Sequence, residues 1–292
     1  MQGRPRRKRS RSPGKQPNAI AVWSGGSSGR YETYANRYDA LLGRWGDAGL
    51  IAADPTWDVT YPKVASDQVG NAIVLSFANY SIRWNRYDAD AGLWTDAGVF
   101  GSGSDHAIAA GLAGMAVGGY ISSSQVFVRT WNQTTLAWNS ATRIDSNGLS
   151  AGSLAVTINA LGNTMTTWRQ SDGVQNRIWA NRYSVDAGLW GDAGVVETFD
   201  GGQVYDPKVV LDSMNHGTVV WRQLHGGSWF IWANRFDWVT GGWGDAGIID
   251  VGAANVEPNI GGDGNGNVFA IYGRSGVATA IAANRFSVST GA

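Results

Sequence analysis

The chain holds 292 residues with 23 basic and 23 acidic side chains, 41 glycines, 15 tryptophans and no cysteine. The missing cysteines exclude disulfides, thiol catalysis and thiolate metal sites, and no apolar run comes near the roughly 18 residues that a membrane-spanning helix needs. The neutral total hides an asymmetry: residues 1–17 carry Arg4, Arg6, Arg7, Lys8, Arg9, Arg11 and Lys15 without one acid, so residues 18–292 set 16 basic against 23 acidic side chains.

Residues 1–17 combine these like charges with Pro5, Pro13 and Pro17 and no apolar side chain after Met1. Such a segment cannot bury enough surface to fold, and a disordered basic tail is expected. It is the one stretch with nucleic-acid-binding character, although a merely solvated tail is the plainer reading. Only Ala19-Ile-Ala-Val-Trp23 follows it, too short for the apolar stretch of about 7–15 residues in a secretory signal, so no signal peptide is predicted.

Residues 18–292 repeat one unit six times, at a spacing of about fifty residues. The clear copies read Tyr34-Ala-Asn-Arg-Tyr38, Trp84-Asn-Arg-Tyr87, Trp179-Ala-Asn-Arg-Tyr183, Trp232-Ala-Asn-Arg-Phe236 and Ala282-Ala-Asn-Arg-Phe286, while Val128-Arg-Thr-Trp131 keeps the spacing and loses the Asn-Arg. Within one copy, segments 62–66, 71–77, 81–87 and 93–100 are strand-length, rich in β-branched and aromatic residues, and separated by turn chemistry. Four antiparallel strands in about fifty residues is the arithmetic of a propeller blade. The expected fold is therefore an all-β propeller of six copies over 18–292; a β-solenoid is the alternative. By this count the first copy lacks its first strand and the last its fourth, and open strand edges favour self-association. Twelve of the 15 tryptophans fall at recurring positions and are expected in the core, with Trp57, Trp229 and Trp238 out of phase.

The units PKVASDQVGNAIVLSF, IWANRYSVDAGLWGDAGVV and IWANRFDWVTGGWGDAGII resemble the tandem propeller-type repeats of large secreted or cell-surface bacterial proteins. The resemblance covers about residues 18–292 and implies a propeller presented outside the cell, without a common catalytic activity.

Arg37, Arg86, Arg182, Arg235 and Arg285 recur in phase with Asp47, Asp96, Asp192 and Asp245 of the Trp-x-Asp-Ala-Gly segments. An intra-blade Arg–carboxylate bridge or turn hydrogen bond is the expected use, and a ring of arginines for an anion the sharper one. Residues outside the repeat phase between second and third strands are better ligand candidates: Arg30, Tyr31 and Glu32; Arg169, Gln170 and Asp172; Arg222, Gln223, His225 and Trp229. An exposed ring there can stack on a sugar while its neighbours bond the hydroxyls. Catalytic constellations are thin, with His106, His216 and His225 the only histidines and Glu32, Glu197 and Glu257 the only glutamates. Asp263-Gly-Asn265-Gly-Asn267 looks like part of a calcium loop but lacks the other ligands. No metal or cofactor is expected. The function that fits is a non-enzymatic, lectin-like binding or adhesion module for a glycan or protein. The alternatives are a glycoside hydrolase drawing paired carboxylates from the 20 aspartates, and a structural repeat piece that assembles through open strand edges.

Overall fold

The computed structural model describes residues 19–26, 29–95, 98–198, 201–250, 257–274 and 280–289. The basic tail 1–17 lies outside them. Six antiparallel sheets follow one another along the chain. The first contains β1 (Ala19–Gly25), β2 (Glu32–Asp39), β3 (Arg44–Trp45) and β4 (Gly49–Ala52), and the second β5 (Thr60–Ser66), β6 (Ala72–Ala78), β7 (Ser81–Asp88), β8 (Leu93–Trp94) and β9 (Gly98–Ser102). The third holds β10 (Asp105–Ala110), β11 (Ala116–Ser122), β12 (Gln125–Asn132), β13 (Ala137–Trp138) and β14 (Thr142–Arg143). The fourth holds β15 (Ala151–Ile158), β16 (Thr164–Ser171), β17 (Asn176–Ser184), β18 (Leu189–Trp190) and β19 (Gly194–Val195). The fifth holds β20 (Val204–Leu211), β21 (Gly217–His225), β22 (Ser228–Asp237), β23 (Gly242–Trp243) and β24 (Gly247–Ile248), and the sixth β25 (Asn259–Gly262), β26 (Val268–Arg274) and β27 (Ala280–Phe286).

Each ladder among the described residues joins strands of the same repeat, in hairpin order. A solenoid would pair each coil with the next, so the architecture is the propeller. Five first strands and β1 lie side by side in series, β1 against β5, β5 against β10, β10 against β15, β15 against β20 and β20 against β25. Among the described residues the first sheet has four strand segments and begins at the second-strand position, and the sixth has three and ends at the third-strand position.

The fourth strand differs from the expected single segment. It is broken in two, both pieces pairing with the third strand, as β8 and β9 do with β7. Trp-x-Asp-Ala-Gly is the kink. It leaves carbonyls without ladder partners, and the repeated asparagine satisfies them. Asn181 donates to Gly191 O at the kink of its own sheet and to Ile144 O at the end of the preceding one, both at 2.9 Å. Asn234 does the same to Gly244 O at 2.9 Å and Val196 O at 2.7 Å, and Asn85 to Thr95 O at 3.0 Å and Ile51 O at 2.8 Å. Asn284 reaches Ile249 O across the last boundary. The third copy, which lacks the asparagine, uses Arg129 instead: Nε donates to Asn139 O and an Nη to Phe100 O, both at 2.6 Å.

Apolar residues fill the spaces between sheets. Met165, Ile178 and Val196 of the fourth sheet pack with Val204, Val219, Trp221 and Phe236 of the fifth, and Leu75, Ile82 and Phe100 of the second pack with Trp131 and Trp138 of the third. The last aromatic of each third strand meets the tryptophan of its fourth strand, from Tyr38 and Trp45 to Phe236 and Trp243, at centroid distances of 5.3 to 5.8 Å. Not every recurrent tryptophan is buried: Trp23 and Trp45 are exposed. Both belong to the first sheet, and among the described residues no core cluster joins that sheet to the sixth.

Replacing Asn234 by alanine strips the buried Val196 carbonyl and the part-buried Gly244 carbonyl of their donor and should cost about 1–3 kcal/mol. At the third sheet Arg129→Ala should destabilise comparably, while Arg129→Asn, which restores the side chain used elsewhere, should recover most of the loss. Thermal melts of the three variants check both outcomes.

Candidate ligand-binding face

In each blade the first strand starts, the second turns into the third and the fourth finishes at one end of the sheet, as the pairs Thr60 with Phe77, Ala78 with Ser81 and Ser81 with Ser102 show. This loop end carries the out-of-phase residues. Across the boundary of the fourth and fifth sheets it brings Arg169, Arg222 and Trp229 together around Tyr205. The Arg169 guanidinium lies 4.7 Å from the Tyr205 ring centroid, and that of Arg222 lies 5.6 Å from Tyr205 and 4.8 Å from Trp229. The two rings are 5.6 Å apart. Asp206 pairs with Arg222 at 3.0 Å. Gly152 supplies the room, since a β-carbon there would stand 3.2 Å from an Arg169 Nη atom. Arg169 pairs with no carboxylate among the described residues, and its Nε is buried without a hydrogen-bond partner.

Tyr205 and Asp206 were not singled out from sequence. Their signal is the bulge before Pro207-Lys208, where the register of β20 and β21 shifts between Tyr205 and Lys208 and Asp206 takes a φ of 57°.

The other candidates separate. Gln170 and Gln223 lie within β16 and β21, fully buried, and not in loops. Each accepts the indole N–H of the tryptophan two residues earlier, Trp168 and Trp221, at 2.8 Å. Each also donates to a carbonyl at 2.7 Å, of Leu149 and Gly201 respectively. Alternate residues of a strand share a face, so the pair packs inward as a unit. Asp172 caps its own turn: the backbone N–H groups of Gln175 and Val174 hold its carboxyl below the usual range, with Arg177 adding to the effect. His225 is exposed, with its ring edge-on to Phe230 and Trp232. Glu32 opens β2 of the first sheet and Arg30 and Tyr31 precede it, away from the arginine cluster of the fourth and fifth sheets; Glu32 accepts the Tyr34 hydroxyl at 2.8 Å.

Among the described residues, the recurrent arginines do not bridge to the Trp-x-Asp-Ala-Gly aspartates. Asp47, Asp192 and Asp245 are exposed and pair with no arginine among the described residues, and Asp96 lies outside them. The kink carries these carboxylates into solvent. The arginines instead cross to the next blade's aromatic: Arg37 to Tyr87 at 5.3 Å, Arg182 to Phe236 at 4.2 Å and Arg235 to Phe286 at 4.8 Å. Arg86 pairs with Asp88 at 2.7 Å and Arg235 also with Asp212 at 2.9 Å, whereas Arg285 lies over Phe269 of its own sheet.

Buried carboxylates recur at the end of the fourth strand in the third, fourth and fifth sheets. Asp145, Glu197 and Asp250 accept the backbone N–H of Val126, Ile178 and Ile231. Burial pushes Glu197 and Asp250 up. At Asp145 burial acts the same way, but Arg143 and two backbone N–H groups outweigh it and leave the group below its ordinary value. All three groups hold third strands in place. Asp263 uses its oxygens on the N–H groups of Asn265 and Asn267 and on the Asn267 amide, an ordinary Asx turn.

No family model matches the chain, and no curated protein does. Among solved structures it is similar to a protein of unknown function from Dyadobacter fermentans, with 11% identity, TM-score 0.56 and coverage of 82% of this chain and 81% of that one. The intramolecular trans-sialidase of Ruminococcus gnavus aligns at 9% identity and TM-score 0.56, covering 94% and 92%. A fungal lectin, that of Aleuria aurantia, described as a six-bladed β-propeller, aligns at 14% identity and TM-score 0.50, covering 94% and 93%. At these identities the likeness is one of fold.

His106, on β10, is buried and its Nε2 bonds to Tyr61 O at 2.9 Å. Burial, aided by nearby Lys63 and opposed by Asp105, lowers its pKa to about 4. The unfolded chain takes up this proton near pH 6.5 and the folded protein does not, so stability is full above that pH and falls as pH drops towards 4. The loss amounts to about 3 kcal/mol. His106→Gln should flatten that part of the Tm–pH curve; an unchanged slope would mean that the ring titrates freely.

Proposed function

We propose that this propeller is a non-enzymatic carbohydrate-binding module that takes an acidic sugar at the boundary of its fourth and fifth blades. The observation that carries the reading is Arg169, a guanidinium without a carboxylate partner among the described residues, set over Tyr205 beside Arg222 and Trp229. Aromatic faces offer a stacking surface for a pyranose, and a guanidinium fork matches a carboxylate or sulfate in a bidentate way. The fold shared with a lectin recognising fucose and with a trans-sialidase agrees with a sugar as ligand. The resemblance of the repeat units to those of secreted and cell-surface bacterial proteins supports presentation outside the cell.

A glycan array probed with the whole chain, Trp229→Ala and Arg169→Met tests this. All three share the basic tail, so its contribution cancels. Saturable binding to carboxylated or sulfated sugars, weaker by about tenfold or more in both variants, is the expected result. Equal binding by all three would overturn the site, and turnover of a bound glycan would overturn the non-enzymatic reading.

A further inference from the structure

Four aromatic rings stand out from the loop end of the first two sheets. Tyr61, at the start of β5, and Tyr80, in the turn from β6 to β7, are each 72% exposed; Tyr31, just before β2, is 56% exposed and Trp57, between β4 and β5, 49%. Hydrogen bonds tie their segments together. The Tyr31 N–H donates to the Asp58 carboxylate at 2.9 Å, and its carbonyl accepts the Val59 N–H at 2.8 Å. Thr60 stands opposite Phe77 in the ladder, and the Phe77 ring meets Tyr80 edge-on at 6.4 Å.

Two of these rings sit where the backbone opposes them. Tyr61 has a φ of 51° and Tyr80 a φ of 62°, a left-handed conformation that bulky side chains disfavour. Elsewhere the same positions hold residues that accept it better: Ser153 and Asp206 at the first-strand bulge, Ser123-Ser124 and Gly226-Gly227 in the two-residue turn. A tyrosine that is strained and still three-quarters exposed gains little from packing to offset the strain, so its use faces outward.

The charges around the rings are mixed, with Asp58 a carboxylate that no ion pair neutralises among the described residues. The Arg83 guanidinium is taken by Asp54, which also accepts the N–H groups of Thr56 and Trp57 at 2.8 and 3.0 Å. Arg30 and Glu32 flank Tyr31 with opposite signs. Flat rings interspersed with carboxylate acceptors, with Arg83 held by Asp54 and Arg30 exposed and set over no ring among the described residues, suit an uncharged ring whose C–H face stacks and whose hydroxyls donate. We infer that Tyr31, Trp57, Tyr61 and Tyr80 form a second binding surface, for a neutral pyranose oligosaccharide. It does not depend on the acidic-sugar reading of the fourth and fifth blades.

The test titrates the full chain calorimetrically with cellohexaose, xylohexaose, mannohexaose and galactohexaose, beside Tyr61→Gly, Tyr80→Gly and Arg169→Met. Glycine suits a positive φ, so each glycine variant should melt higher, by about 2 °C. Each should bind the recognised hexaose at least about tenfold more weakly, while Arg169→Met keeps it within about twofold. The proposal is overturned if no hexaose binds the parent, if the glycine variants bind as the parent does, or if they melt lower, which would make the rings structural. Sedimentation at the same concentrations adds a further arm: parent self-association that both glycine variants abolish would assign the rings to an interface between copies and equally overturn it.

Discussion

The side chain that reaches across each blade boundary is the constraint on which the rest of the structure depends. A kinked fourth strand opens the ladder at two carbonyls, a part-buried one at its own kink and a second at the end of the preceding blade, buried at Ile144 and Val196. Leaving either without a donor would cost more than the bond itself contributes. One asparagine amide has two N–H groups, and Asn85, Asn181 and Asn234 each place one on either carbonyl. The angle between successive blades is thereby fixed at the third strand. Arg129 meets the same geometric demand with different chemistry, donating to Asn139 O and Phe100 O, so the degenerate third copy keeps the staple although it loses the motif.

The next residue completes the arrangement. Neighbours on a strand point to opposite faces of the sheet, so when the asparagine turns back to the preceding blade the following arginine turns forward. Arg37, Arg182 and Arg235 accordingly cover Tyr87, Phe236 and Phe286 of the following blades. The aromatic they cover is the residue after the arginine of its own motif. The tripeptide Asn-Arg-aromatic thus serves three contacts: a polar staple backward, a cation over a ring forward, and a ring that receives the previous cation.

The period, the strand-length segments of each unit and the recurrence of the tryptophans were legible because each is a pattern of spacing along the chain. What spacing cannot show is which neighbour a face will meet. Arg182 and Asp192 recur in register, yet the kink sends Asp192 to solvent while Arg182 packs against the fifth blade. Gln170 and Gln223 read as loop polars because glutamine is usually exposed; the clue was the tryptophan at i−2, whose indole N–H needs a buried acceptor. Tyr205 escaped notice because a bulge, invisible in periodicity, re-aims it towards Arg169.

Six copies of one unit in a single chain provide an internal comparison. Positions that carry the same interaction from blade to blade answer to the fold, and the staple, made across each boundary from the first blade to the sixth, is of that kind. The first-strand bulge is the opposite case: one backbone device, with φ between 51° and 57°, presents a phenol ring at Tyr61, a hydroxyl at Ser153 and a carboxylate at Asp206. The backbone there is repeated while the chemistry is not. Since the strands below are already held by staples and inter-blade cores, the side chains at the loop end are released from any duty to the fold. Tyr61 and Tyr80, which accept a left-handed backbone while exposed, and Arg169, whose Nε is buried without a hydrogen-bond partner, are the positions at this end whose presence packing explains least.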